Sequence, residues 1–120
     1  MYSLFLRLCR RCILFPVISG FIIFISGAAK AEDFKIIMKG WILHPENFTV
    51  NIHAGDTLIW VNDDDAQHTI TFEDPTVKSS ENLSPGRQFS LQFDAAGEYS
   101  YYCKYHAVLG MKGIVRVTAK

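Results

Sequence analysis

The chain has 120 residues, room for one domain, and its twelve basic residues balance its twelve acidic ones. That balance hides an asymmetry. Arg7, Arg10, Arg11 and Lys30 are the only charges before Glu32, so the 89 residues from Glu32 to Lys120 carry a formal charge of −4. A mildly acidic segment without clustered Lys and Arg excludes a nucleic-acid-binding domain.

The first 31 residues read as a secretory signal peptide. Arginines open the segment, an apolar stretch runs from Ile13 to Ile25, and Ala29-Lys30-Ala31 supplies a small-x-small exit. The apolar stretch is shorter than the roughly 20 residues that span a bilayer, so removal is expected rather than anchoring. Arg10-Arg11 lies between Cys9 and Cys12, which favours the ordinary export route over a twin-arginine one. Cleavage after Ala31 is expected to deliver residues 32–120 to the periplasm, with no membrane association left. Cys9 and Cys12 leave with the signal. Cys103 then stands alone in an oxidising compartment, where an unoccupied thiol is a liability.

From Glu32 onward the pattern is one of short strands. Phe34–Met38 is the first. Phe48, Val50 and Ile52 alternate with polar residues, and Ala54-Gly55-Asp56 turns the chain into Thr57–Val61. Asn62–Asp65 is a polar loop, in which Asp63-Asp64-Asp65 reads as a solvated stretch rather than a docking surface. His68–Phe72 alternates again. A long polar connection from Glu73 to Gly86 leads to Phe89–Phe93, then Glu98–Tyr102, a loop over Lys104–Lys112, and Gly113–Val117. About seven strands separated by turn signals predict an antiparallel β-sandwich.

Four side chains stand at the ends of these strands. His68 begins one, Cys103 follows another, and His106 and Met111 complete Cys-x2-His-x4-Met. Cys-x2-His by itself also fits half a zinc site, although zinc sites of this size rarely use Met. A thiolate and two imidazoles with a weak axial thioether form the donor set of blue-copper electron-transfer sites. The thiolate favours Cu(I), imidazole suits both oxidation states, and the weak thioether leaves the fourth position nearly empty. His44 and His53 lie in the early strands and read as structural or surface residues.

The surrounding residues resemble the cupredoxins of the plastocyanin, pseudoazurin and amicyanin group. Asn47-Phe48-Thr49-Val50, Ala54-Gly55-Asp56-Thr57-Leu58, Trp60, Asn62 and His68-Thr69-Ile70 resemble the first half of that group. Gly97-Glu98-Tyr99, Tyr101-Tyr102-Cys103, His106, Gly110-Met111 and Gly113 resemble the second. The resemblance implies an all-β, Greek-key β-sandwich of seven to eight strands binding one type 1 copper ion through His68, Cys103, His106 and Met111. It implies a monomeric carrier of single electrons between a donor and an acceptor protein, not an enzyme.

Two positions depart from the family pattern. Thr69 stands where Asn is usual, and with Asn62 it is expected to support the ligands. Tyr105 precedes His106 where Pro is common, so either an extra N–H hydrogen bond to the Cys103 thiolate or altered packing is expected. Ala107, Val108 and Leu109, with Tyr102, are the expected surface through which electrons leave. Carriage or storage of periplasmic copper is the alternative function, but that use favours clustered Met or His. A copper site acting on a small substrate needs an open coordination position, which Met111 fills.

Overall fold

The computed structural model describes residues 29–40, 42–44 and 49–120. Most of the expected signal segment, residues 1–28, lies outside the described residues. Ala29–Ala31 are exposed and irregular and lead directly into the first strand.

Eight strands form among the described residues: β1 (Asp33–Lys39), β2 (Ile42–His44), β3 (Thr49–His53), β4 (Asp56–Asn62), β5 (Thr71–Phe72), β6 (Gln88–Phe93), β7 (Gly97–Tyr102) and β8 (Lys112–Thr118). They make two four-stranded sheets, ordered β2-β1-β4-β6 and β3-β8-β7-β5. The all-β sandwich expected from the sequence is therefore present. The sheets are mixed rather than purely antiparallel, because β1 runs parallel to β4 and β3 parallel to β8. Each parallel pair joins strands separated by a crossover, so hairpin turn signals could not reveal it.

β4 shows how the pattern makes the fold. Asp56, Leu58, Trp60 and Asn62 are buried and the residues between them are not, the period of a strand with one inner face. Trp60 packs edge-on against Phe72 and Tyr101, at centroid distances of 6.0 and 5.3 Å. Leu58, Met38 and Val115 are also completely covered. Burying an apolar side chain of this kind contributes about 1.5–3 kcal/mol. On β8, a Cβ at Gly113 would lie 2.5 Å from the Tyr101 ring, so only glycine lets β8 pass this close to the aromatic core.

The expected strand His68–Phe72 shortens to Thr71–Phe72. His68, Thr69 and Ile70 are buried consecutively, at 0, 1 and 1% exposure, which a strand with one solvated face cannot do. His68 instead makes an isolated bridge to Leu83, with backbone hydrogen bonds in both directions. The chain here has left the sheet to cover one end of the sandwich.

Candidate metal centre

Three segments meet at that end. His68 arrives from the loop after β4, Cys103 from the end of β7, and His106 and Met111 from the β7–β8 loop. The last loop is closed by its own backbone. The Cys103 N–H donates to the Met111 carbonyl at 3.0 Å, and the Met111 N–H donates to the His106 carbonyl at 3.2 Å. Between them Ala107–Leu109 forms one 3-10 turn, ended by Gly110 in the left-handed conformation at φ 90°. Cys103 and Met111 are thus held side by side before any ligand is considered.

His68 Nδ1, His106 Nδ1 and Cys103 Sγ converge. The two nitrogens are 3.2 Å apart, and the sulfur lies 3.8 Å from His68 Nδ1 and 3.5 Å from His106 Nδ1. A triangle with these sides has a circumradius of about 2.0 Å, close to the ~2.0–2.3 Å over which imidazole nitrogen and thiolate sulfur bind a transition metal. The residues present therefore fit a small soft-ligated ion. Met111 is 1% exposed and sits beside this trio in the chain's own loop closure.

Burial grades the site. His68, Cys103 and Met111 are buried, while His106 is partly open to solvent. Burial pushes the His106 imidazole below its usual pKa, the neighbouring His68 acts in the same direction, and Asp64 opposes them. Around His106 the surface is apolar: Tyr105, Val108 and Leu109 are 49, 94 and 61% exposed. Tyr102 is half-buried on β7, between Thr71 and Lys112 of the flanking strands.

The supporting residues fall partly as expected. Thr69 Oγ1 accepts the Lys104 N–H at 2.9 Å, and the Thr69 N–H points at Cys103 Sγ at 3.5 Å. Its hydroxyl thus ties the two loops, and its own amide approaches the sulfur. Tyr105 sends its hydroxyl to Asn82 Oδ1 at 2.8 Å. Asn62 is completely buried and touches the loop rather than a donor atom. Its Nδ2 donates to the Ala66 and Leu83 carbonyls, both at 2.8 Å, and its Oδ1 accepts the Asp64 N–H at 3.0 Å.

Asp64 is the residue that sequence reasoning passed over. Its Oδ2 lies 3.1 Å from His68 Nε2, with the histidine side chain fully covered and the carboxylate 16% exposed. The only signal was its place four residues before His68, in a run of three aspartates that looks uniformly solvated. Asp63 fits that description, being exposed and paired with Lys39 at 3.0 Å.

The profile of the cupredoxin-like domain matches residues 12–117. Plastocyanin of Scenedesmus fuscus is 38% identical over 82 residues, which is 60% of this chain and 84% of that protein. Among solved structures, a novel purple cupredoxin from Nitrosopumilus maritimus superposes with a TM-score of 0.63 at 29% identity, covering 72% of this chain and all of that one. Amicyanin from Paracoccus versutus superposes with a TM-score of 0.63 at 25% identity, over 76% of this chain and 86% of that one.

Proposed function

This chain belongs to the cupredoxin-like family, and from that footing we propose that it carries single electrons as a type 1 copper protein. The observation that carries the reading is the convergence of Cys103 Sγ with the two Nδ1 atoms of His68 and His106 at metal-binding spacing. In this reading those three would be the strong ligands to copper, and the Met111 thioether the weak fourth one.

A bound copper ion supplies the Cu(II)/Cu(I) couple. The protein's part is to keep its donors still while the charge changes. Cys103 and Met111 are locked by loop closure, His68 by its bridge to Leu83, and the two loops by Thr69. A site that does not rearrange has a small barrier to electron exchange. Of the two imidazoles in the donor set, His106 is the one with solvent beside it, inside a rim of exposed Val108 and Leu109. That rim is the contact we assign to donor and acceptor proteins, since two apolar faces can exclude water between His106 and a partner's cofactor.

Export belongs to the same proposal. In this reading the small-x-small triplet Ala29-Lys30-Ala31 is the cleavage site and the mature chain starts at Glu32, immediately before β1. N-terminal sequencing of the native protein is expected to begin at Glu32 in a periplasmic fraction. The function itself is tested by colour. Oxidised, copper-loaded protein is expected to show an intense visible thiolate-to-copper charge-transfer band, and Cys103→Ser to lose it. A colourless copper-loaded wild type overturns the reading.

A further inference from the structure

The contact between Asp64 and His68 has no part in the ligand set, yet it is built with care. Asn62, fully buried, accepts the Asp64 N–H and braces the loop through the Ala66 and Leu83 carbonyls. The Asp65 N–H donates to Asp64 Oδ1 at 2.8 Å, which leaves Oδ2 aimed at His68 Nε2, 3.1 Å away. His68 is covered on every side, so its outer nitrogen meets the carboxylate rather than bulk water.

A neutral imidazole has one N–H and one lone pair. A carboxylate can only accept at Nε2, so it holds the proton there and turns the lone pair of Nδ1 toward Cys103 and His106. It also sets a negative charge one imidazole away from the donor cluster, in a place where solvent screens it poorly. We infer that Asp64 is a positioning residue for the copper site, fixing the tautomer of His68 and biasing the site toward Cu(II). The inference rests on the copper reading of His68, Cys103 and His106. Carboxylate partners of metal-bound histidines orient the ring and raise its basicity. Asp63 and Asp65 share the charge but not the contact, and they serve as internal controls.

The test has two arms, one without metal. In the metal-free protein, nitrogen NMR is expected to show His68 as the Nε2–H tautomer with slow proton exchange. Asp64→Ala is expected to mix the tautomers and speed exchange. Unchanged His68 signals in a folded Asp64→Ala protein overturn the positioning role whether or not copper binds. In the copper-loaded protein, Asp64→Asn keeps an oxygen for the Nε2–H and removes the charge. Its Cu(II)/Cu(I) equilibrium is expected to move about tenfold toward Cu(I), ~59 mV higher in potential. Asp65→Asn, which loses the same charge at an exposed site, is expected to stay within twofold of wild type. Equal shifts in the two variants, or none in Asp64→Asn, overturn the electrostatic role. Failure of the wild type to bind copper would instead count against the function proposed above, and leave the metal-free arm to decide Asp64.

Discussion

Thr69 Oγ1 accepts the backbone N–H of Lys104 at 2.9 Å, and this one bond joins the segment carrying His68 to the segment carrying Cys103 and His106. The hydroxyl also meets Thr71 Oγ1 at 3.1 Å. Thr69 is 1% exposed, so water cannot easily replace it as the acceptor. Thr69→Val keeps the shape and removes the oxygen. Leaving this part-buried N–H without its protein partner costs up to about 1–3 kcal/mol. Denaturant unfolding is expected to show a loss in that range for Thr69→Val and a smaller one for Thr69→Ser. Equal stability of Thr69→Val and wild type would mean that the tether contributes nothing.

Met111 is expected to be separable from the other three donors. Met111→Gln replaces the thioether with a carbonyl oxygen on a side chain of similar length. A harder donor favours Cu(II), so the potential is expected to fall while copper and colour are retained. Each tenfold change in the equilibrium corresponds to ~59 mV for one electron. A redox titration beside wild type measures it, and an unchanged potential with intact copper geometry would remove Met111 from the axial position. His106→Ala is expected to lose the native site instead.

Asp56 predicts the acid limb of the stability profile. Its carboxylate accepts the His53 N–H at 2.8 Å and the Glu32 N–H at 3.1 Å, with Lys120 Nζ 3.5 Å away. The His53 amide is the largest influence holding its pKa below the usual carboxylate value. The Glu32 N–H and Lys120 add to it, and burial opposes. A depressed folded-state pKa means stability that is present above the unfolded value and is lost as pH falls through the folded one. Asp56→Asn is therefore expected to be less stable near neutrality and to lose less on acidification. Unfolding midpoints at neutral and acidic pH check this, and parallel profiles for the two proteins would refute it.

Tyr101 predicts the alkaline limb. Burial against Trp60 and Phe72 pushes its phenol up to about 12. The unfolded value is about 10, so the folded state holds the proton more tightly and stability falls as pH rises from about 10 to 12. Two units correspond to roughly 2–3 kcal/mol. Tyr101→Phe is expected to lose less stability than wild type across that window. Matching losses would place the alkaline transition on another group.

The parts of the protein that were legible early are those whose signal is local. Alternation of apolar and polar residues marks β6, and a short apolar run after the Ala54-Gly55-Asp56 turn marks β4; Leu58, Trp60 and Phe93 face inward as a strand's period of two requires. Cys103, His106 and Met111 share one short loop, so their spacing alone names a soft, mixed donor set. His68 was harder to place. The alternation of His68–Phe72 suggested a strand, whereas in the fold three consecutive residues there are covered by different neighbours.

What no spacing shows is which side chains meet across the end of the sandwich. The parallel pairings β1 with β4 and β3 with β8 join strands through crossovers, and no turn residue announces them. Asp63, Asp64 and Asp65 are identical in chemistry and adjacent in sequence. Only the folded loop, shaped by the buried amide of Asn62, separates them, sending Asp63 to Lys39 in solvent and Asp64 to the covered nitrogen of His68. The donor types, and hence the metal they suit, follow from residue identity because ligand softness is a property of the side chain. The charge and hydrogen bonds that tune those donors depend on distances between segments far apart in the chain, and these exist only once both sheets have packed.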